Sequence, residues 1–454
     1  MRSVVFWIVV FCLVAAESAC SQQTNVGQPV KPGLVGAWFG EPDLTNCQDA
    51  VVLKTLEKSW SEADDYGRAW SARWQGFVVA PASGEVAFHP ETDVGRDSFL
   101  TAPAKNVFVF QEAGRFGGWP ANNGVWSWGD EILVGFSLGY YKENKQGHSV
   151  DRDKPRRNVL ARTTDGGESW TLEDPDNFVG DGGNPVPCPG GINFAHPDFA
   201  LRCGGQEFFV SYDRGKTWKG PYQMPDFGGK DLTSRTDYIV NGPADCLFFL
   251  SAKEEKVEAG LRDRAFCART IDGGKTFEFL GWMTHNVEVR SVMPATVRIS
   301  KTELVSAMRR RHDARAVGRP GAGRNWIDVY QSTDDGKSWR FLSKVADTDT
   351  GKRNGNPPSM VRLKDGRLCV TYGYRGLPCG IRARLSGDNG KTWGPEIHLR
   401  DDGRTWDLGY TRTVQRSDGK LVTIYYYTTA KNPEQHIVAT IWNPDLVGGA
   451  GAAP

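Results

Sequence analysis

The sequence predicts an all-β protein, a six-bladed β-propeller preceded by a small β segment. The first observation is a pattern, Ser/Thr-x-Asp-x-Gly-x-Ser/Thr-Trp/Phe, which occurs five times. Its copies span residues 163–170, 211–218, 270–277, 332–339 and 386–393. The second is their spacing of 48, 59, 62 and 54 residues, which is typical of four-stranded propeller blades. The third is a short apolar or alternating run before each copy, which indicates a strand entering a turn.

Each fixed position of the repeated pattern has a physical role in a hairpin. The Asp accepts hydrogen bonds from backbone N–H groups of its own turn, and the Gly adopts a positive φ. The final Trp or Phe buries a large ring against its neighbours. Five marked blades and one unmarked blade make six. Because propellers commonly close by pairing their terminal strands in one blade, we expect residues 106–110 to lie beside 436–442.

The repeated pattern resembles the Asp-box, also called the bacterial neuraminidase repeat, which is found in sialidases and other propellers. The chain is therefore similar to the sialidase-like superfamily, and the resemblance extends over residues 104–446, the predicted propeller. The resemblance implies architecture and leaves the substrate open, because one fold carries many functions.

The N-terminus is predicted to be an export signal over residues 1–20, followed by a linker over 21–32. Residues 4–16 form an apolar run too short to span a bilayer comfortably. Ser18-Ala19-Cys20 resembles part of a bacterial lipobox, so lipidation of Cys20 is one expectation and cleavage near Ala19 the other. Either way we expect an exported protein, periplasmic, extracellular or attached to the cell surface.

Residues 33–95 form a separate predicted β segment. Arg73-Trp74-x-Gly76, followed by the Pro-x-Ser-Gly-x-x-x-Phe of residues 81–88, resembles the first half of a protective-antigen-like domain, a β-sandwich often involved in carbohydrate binding. The later strands of such a domain are missing, since residues 106–110 already belong to the propeller. We interpret the segment as a truncated remnant.

Composition and charge narrow the partners. The 55 Lys and Arg residues nearly balance 54 Asp and Glu, and a net charge of +1 favours neither nucleic acid nor an anionic membrane. Membrane contact is expected only through lipidation at Cys20, and no prediction of oligomeric state follows. Cys188–Cys203 or Cys369–Cys379 would close short disulfide loops. Since the sequence has no C-x-x-C pair or His-rich cluster, we expect neither a metal site nor a cofactor.

The family resemblance implies several site residues near the first repeat. Sialidases carry an Arg-Ile-Pro element at the start of the first blade and an acidic residue before the first Asp-box. Arg115 stands where that arginine would be, with Trp119 four residues later, and Asp151 or Asp153 matches the general acid/base, with His148 close by. A carboxylic acid with a raised pKa can protonate a leaving oxygen. The alternative is a solvated polar loop.

Further candidates are arginines that could grip a substrate carboxylate. Arg309, Arg310 and Arg311 end a predicted strand, so Arg309 and Arg311 share one face. Their planar guanidinium groups suit an anion, and Arg375 is a further candidate by resemblance. The alternative is that the three consecutive arginines are solvated.

A tyrosine in the last third of the chain is the candidate nucleophile. Gly409-Tyr410-Thr411 is similar to the Gly-Tyr-Ser of sialidases, whose Tyr is the nucleophile, and Glu288 is the candidate for its acidic partner by position. A phenol needs a base or nearby positive charge to ionise. The alternative is that Tyr410 is an aromatic on which a sugar stacks.

These residues predict an exported sialidase-like glycoside hydrolase that acts on a terminal, anionic sugar of a glycan, as an exo-α-sialidase does. Two alternatives remain open: a non-catalytic propeller that binds carbohydrate or protein, and an enzyme that degrades uronic-acid polysaccharides in the same cleft.

Overall fold

The computed structural model describes residues 100–178, 183–253, 263–285, 289–312, 323–349 and 355–449, and the backbone of four earlier strands. The chain divides into two compact units, Met1–Arg96 and Asp97–Pro454. Apart from the backbone of residues 5–8, the predicted export signal lies outside the described residues, as do Cys20 and the whole linker, and all three stay predictions.

The first unit contains one described four-stranded sheet. Its strands are Val5–Ile8, Leu34–Phe39, Cys47–Leu53 and Ser71–Gly76. The second strand pairs antiparallel with both the third and the fourth, and the first pairs parallel with the fourth.

Within the described residues, the second unit forms six sheets arranged as a six-bladed propeller, which confirms the predicted fold class. Blade 1 contains Arg115–Gly118, Gly124–Trp128, Glu131–Tyr140, Arg157–Thr163 and Thr171–Glu173. Blade 2 contains Ala200–Gly205, Glu207–Ser211, Lys219–Gln223 and Ser234–Arg235. Blade 3 contains Asp231–Leu232, Tyr238–Val240, Cys246–Lys253, Asp263–Thr270 and Glu278–Trp282.

The remaining blades follow in chain order. Blade 4 contains Arg290–Arg298, Leu304–His312, Arg324–Ser332 and Arg340–Asp347. Blade 5 contains Ser359–Arg362, Leu368–Tyr374, Gly380–Ser386 and Ile397–Arg400, with Leu100–Thr101 and Gly448–Gly449 added at its edge. Blade 6 contains Gly409–Gln415, Leu421–Tyr427, His436–Trp442 and the N-terminal strand Ala104–Phe110.

Blade 6 closes the ring. Ala104–Phe110 pairs antiparallel with His436–Trp442, with Val107 opposite Ala439. The expected pairing of the two ends of the propeller is therefore confirmed, and it leaves blade 6 next to blade 1. Phe116 and Phe136 of blade 1 accordingly share a buried cluster with Ile437.

The Asp-boxes are hairpin clasps in blades 1 to 5. Asp165 Oδ1 accepts the N–H groups of Glu168 at 2.9 Å and Ser169 at 3.0 Å, and its Oδ2 accepts the Ser169 hydroxyl at 2.5 Å. The Trp170 indole donates to Gly167 O at 3.0 Å. All of these hydrogen bonds lie within the turn itself, so the Asp-box carboxylate has a structural role.

The backbone is distorted at one position in each of blades 1, 4 and 6. Trp119, Met293 and Tyr410 have φ values of 55°, 57° and 54°, in the left-handed region that non-glycine residues rarely adopt. A 3-10 turn, Pro120–Asn122, follows Trp119. Met293 and Tyr410 pack with Ala121 of this turn, so blades 1, 4 and 6 meet at these distortions.

Six cysteines with described side chains form no disulfide: Cys188, Cys203, Cys246, Cys267, Cys369 and Cys379. Neither of the two short disulfide loops that the sequence permits is therefore formed. Burial against apolar neighbours accounts for Cys203, Cys369 and Cys379, which belong to the core clusters. Across the described part of the chain, no helix has the length and apolarity needed to cross a membrane.

Candidate functional site

A cavity of about 450 Å³, here called the axial cavity, is lined mainly by residues of blades 1 and 2, with Tyr410 of blade 6. Tyr410 lines it, together with Trp119, His148 and Arg235. Three further arginines line it as well: Arg156, Arg157 and Arg202. The described lining contains no Asp or Glu. This balance of charge suits an anionic ligand.

Local backbone geometry holds Tyr410 in place. Gly409 has a φ of +103°, and Tyr410 follows it with a φ of 54°. The Tyr410 N–H donates to the Oδ1 of buried Asn356 at 2.9 Å. A Cβ on Gly409 would lie 2.2 Å from that same oxygen. Glycine is therefore required before Tyr410, both for its backbone angle and for the approach of Asn356.

Buried arginines surround the Tyr410 phenol. Arg309 is 5% exposed, and its Nη1 lies 3.5 Å from Tyr410 Oη. The guanidinium carbon of Arg375 lies 5.7 Å from the centre of the Tyr410 ring. Burial by itself would raise the pKa of Tyr410, but the positive charges of Arg309, Arg375, Arg235 and Arg290 outweigh it. The pKa of the phenol therefore falls below its ordinary value, which favours the phenolate.

Two of these arginines, Arg309 and Arg235, form no ion pair among the described residues. Arg309 Nε is also buried without a hydrogen-bond partner there. Burial, followed by the charges of neighbouring arginines, lowers the pKa of Arg309 to about 10, although Tyr410 acts in the opposite direction. A buried cation without a counter-ion is costly. An anionic ligand would supply the missing partner.

A hydrogen-bonded network connects His148 with Arg375. His148 Nδ1 lies 2.5 Å from Oδ1 of buried Asp407. The same oxygen accepts the Tyr426 hydroxyl at 2.7 Å, and Arg375 Nη2 donates to that hydroxyl at 2.8 Å. The other Asp407 oxygen accepts the Ser149 N–H at 2.9 Å. His148 and one of the arginines beside Tyr410 are thus held by one buried carboxylate and one buried phenol.

The structure brings several predicted site residues together at the axial cavity. Tyr410, Trp119 and His148 line it directly. Arg309 and Arg375 lie beside Tyr410. Arg311 lies opposite Arg290 in the strand register, on the same face as Arg309, and its charge contributes to lowering the pKa of Arg309.

Arg115 does not join this group, contrary to the expectation from resemblance. Its Nε donates to Gly139 O at 2.8 Å, and its guanidinium carbon lies 4.5 Å from the centre of the Tyr140 ring. It is absent from the described lining of the cavity and is not among the main charges that act on Tyr410. The distortion after Gly118 brings Trp119, rather than Arg115, to the cavity.

The two candidate acids near the first repeat also lie outside the described lining. Asp151 and Asp153 both bind Lys142, at 3.4 Å and 3.0 Å, and the Asp153 side chain is 82% exposed. Burial would raise the pKa of Asp151, but its bonds to the Asp153 N–H and Lys142 outweigh it and leave the pKa lowered. Glu288 lies outside the described residues, and its role stays a prediction.

Sequence reasoning missed four residues that shape the site. Arg235, Arg290, Asn356 and Asp407 were not singled out, although each contacts or charges the surroundings of Tyr410 or His148. Asp407 stands three residues before Tyr410, which is a local signal. The others carried none, because they lie on different blades. Among the described residues, no group of three or more His, Cys, Asp or Glu side chains is placed to hold a metal ion.

A second cavity, of about 500 Å³, is separate from the described lining around Tyr410 and contains Asp237 and Arg412. Arg412 Nη2 donates to the carbonyl oxygens of Ala121 at 2.8 Å and Thr236 at 3.1 Å. Burial raises the pKa of Asp237 to about 7, although hydrogen bonds from Thr296 and the charge of Arg412 oppose the increase.

Comparison with solved structures finds chains that are similar to this one. A protein of unknown function from Dyadobacter fermentans DSM 18053 matches at a TM-score of 0.55 and 21% identity, over 75% of this chain and 99% of that chain. An α-L-arabinanase of Penicillium chrysogenum matches at 0.47 and 13% identity, over 76% and 98%. A Trypanosoma rangeli sialidase matches at 0.43 and 13% identity, over 81% and 60%.

No curated protein matches the sequence. The family model of the BNR repeat-like domain matches residues 198–424, which is half of the chain and covers four of the five Asp-boxes. The match agrees with the resemblance to repeat-bearing, sialidase-like propellers, and the chain therefore belongs to the BNR repeat-like domain family.

Proposed function

We propose that this protein is an exported glycoside hydrolase that cleaves a terminal anionic sugar from a glycan, with the scissile bond held in the axial cavity. One observation carries the proposal: the Tyr410 phenol lies among four arginines, beside a cavity whose described lining has no carboxylate. Such a site offers an anion-binding surface and an activated nucleophile together.

The arginines would bind the carboxylate of the sugar. Arg309 lies beside the phenol oxygen and Arg375 lies over the phenol ring, and planar guanidinium groups bind carboxylates through paired hydrogen bonds. Arg235 belongs to the lining itself. Substrate binding would supply the negative charge that Arg309 lacks among the described residues, so affinity should fall when salt screens this attraction.

Tyr410 would act as the nucleophile. Its oxygen would attack the anomeric carbon while the glycosidic bond breaks, and water would then release the sugar from the tyrosine. A tyrosine nucleophile is the mode by which sialidases differ from glycosidases that use two carboxylates. The arginine charges that lower the pKa of Tyr410 make the phenolate more accessible. Glu288 remains the predicted acidic partner of this tyrosine.

The proposal is tested with a methylumbelliferyl α-sialoside and a methylumbelliferyl β-glucuronide, which both carry a carboxylate. The wild-type chain should release fluorophore from at least one, and Tyr410→Phe should lower kcat/KM by about 1,000-fold or more, since it removes the nucleophilic oxygen. Tyr212→Phe is the matched control, because its hydroxyl accepts only a loop N–H in the described structure and lies outside the axial cavity. Turnover unchanged by Tyr410→Phe would exclude the tyrosine nucleophile.

A second candidate is a lyase for uronic-acid polysaccharides. It is favoured because the described lining offers a histidine and a tyrosine but no carboxylate, and elimination needs a base beside a neutralised substrate carboxylate. Oligouronides incubated with the protein distinguish the two: a lyase yields an unsaturated, ultraviolet-absorbing product, whereas a hydrolase yields a saturated one.

Saturable binding of a sialoside or uronide without any turnover would instead identify a non-catalytic carbohydrate-binding propeller.

A further inference from the structure

We propose that His148 is the general acid and base of the reaction, held in position by Asp407. This inference rests on the proposed function and names a proton-transferring group for the same cavity. His148 lines the axial cavity and touches Asp407 behind it, so it connects the reacting space with a buried carboxylate.

The hydrogen bonds of Asp407 determine which nitrogen of His148 faces away from it. Asp407 accepts the Ser149 N–H at 2.9 Å, the Tyr426 hydroxyl at 2.7 Å and the Gln435 amide at 3.1 Å. An ionised carboxylate can only accept, so His148 Nδ1 must carry the proton in its 2.5 Å contact. Nε2 is then the atom left for substrate, and it makes no hydrogen bond to a described residue.

The charge state of Asp407 supports this assignment. Burial would raise the pKa of Asp407, but the hydrogen bond and charge of His148, the charge of Arg375 and the Ser149 N–H outweigh it, and the pKa is lowered. Tyr426 joins Asp407 to Arg375, so the buried negative charge is compensated from two sides. A buried carboxylate that orients an imidazole in this way stabilises the imidazolium when it forms.

Two tryptophans fix the plane of the imidazole. The Trp119 ring lies edge-on to it at 5.1 Å between ring centres, and the Trp406 ring lies at 5.7 Å. The side chain remains 21% exposed. The ring therefore packs against two tryptophans but keeps access to the cavity, as a proton-transferring group requires.

The predicted acids are less suited to the same task. Asp151 and Asp153 are absent from the described lining of the cavity, and both bind Lys142. The lowered pKa of Asp151 also makes its protonated form scarce. A group that must hold a proton and then deliver it to a leaving oxygen is better provided by the histidine.

The proposed reaction has two steps, glycosylation of Tyr410 and release of the sugar by water. The His148 imidazolium gives its Nε2 proton to the glycosidic oxygen while Tyr410 Oη bonds to the anomeric carbon, and the alcohol departs. The neutral imidazole then takes a proton from water as the water oxygen attacks that carbon. The tyrosine–sugar bond breaks, and phenolate and imidazolium are restored.

The test compares two substrates of the same sugar that differ in their leaving group, an activated methylumbelliferyl glycoside and the methyl glycoside. Only the methyl glycoside needs a proton on its leaving oxygen. We expect His148→Ala to lower kcat/KM for the methyl glycoside by about 100- to 10,000-fold and for the activated substrate by less than about 10-fold. Azide should raise kcat of the variant on the activated substrate and yield a glycosyl azide.

Further variants separate chemistry from structure. His148→Gln keeps an N–H donor for Asp407 but cannot transfer a proton, so it should show the same selectivity between substrates. Asp407→Asn should show a smaller selective loss, because it affects the histidine indirectly. His196→Ala is the matched control, since His196 accepts a local N–H of its own loop and is absent from the cavity lining. Thermal unfolding of each variant confirms that it is folded.

Two outcomes have separate meanings. If the wild type hydrolyses either sugar and depends on Tyr410, but His148→Ala and His148→Gln affect both leaving groups equally or not at all, the role of His148 is overturned while the proposed function stands. If the wild type turns over neither sugar, the proposed function itself fails, and this mechanism fails with it.

Discussion

Replacing Gly409 by alanine tests how the structure holds Tyr410. The φ of +103° at Gly409 is unfavourable for alanine and should cost about 1–2 kcal/mol. The added Cβ would lie 2.2 Å from Asn356 Oδ1 and 2.7 Å from its Cγ, so Asn356 must move. That movement disturbs the 2.9 Å bond from Tyr410 N–H, and an unsatisfied buried group costs about 1–3 kcal/mol. We expect a total loss of about 2–5 kcal/mol in unfolding free energy.

Gly419→Ala is the matched control for this variant. Gly419 has a φ of +88°, but a Cβ there meets no atom within 4 Å. It should therefore show the backbone cost alone, about 1–2 kcal/mol. Urea unfolding measures the difference, and turnover of the activated glycoside should fall in Gly409→Ala but not in Gly419→Ala. Equal destabilisation by the two variants would refute the argument that Asn356 positions Tyr410.

Three further predictions concern charge. Arg309→Met should raise the pKa of Tyr410, because it removes the largest of the charges that lower it. The same variant should raise KM for an anionic glycoside. Ultraviolet titration, with and without Arg309→Met, of proteins that carry or lack the Tyr410 hydroxyl gives the Tyr410 pKa by difference. Asp237→Asn should flatten the pH dependence of stability. With a folded pKa of about 7, wild-type Asp237 loses about 3–4 kcal/mol of stabilisation as pH rises from about 4 to 7. Denaturant unfolding at several pH values measures this loss. Asp165→Ala should lower the unfolding free energy by about 1–2 kcal/mol, because it removes the hydrogen bonds that Asp165 accepts within its turn. It should leave kcat unchanged. Denaturant unfolding measures the first effect and steady-state kinetics the second.

The architecture could be predicted from the sequence because its signals are local. An Asp-box satisfies its own hydrogen bonds within a few residues, as Asp165 does, so its pattern is visible without knowledge of the rest of the chain. Five such hairpins at regular spacing determine the number of marked blades. The pairing of residues 106–110 with 436–442 followed from the need to leave no open edge.

The site could be predicted only in part. Tyr410 and Arg375 were found through short segments similar to a known family, and the structure places them together. Arg115 was chosen by its position in a similar element, but the chain bends after Gly118 and brings Trp119 to the cavity instead. Arg235 and Arg290, which belong to other strands, lie near Tyr410, where Arg115 was expected.

The sequence by itself determined the repeat, the fold class and the candidate tyrosine, because each depends on residues close together in the chain. The tertiary structure decided which charges meet. His148 and Asp407 are 259 residues apart and touch because ring closure places blade 6 beside blade 1. Arg309 of blade 4 reaches Tyr410 of blade 6 across 101 residues because the blades are arranged in a ring. Electrostatic interactions depend on distance in space, and that distance is decided by how the blades close.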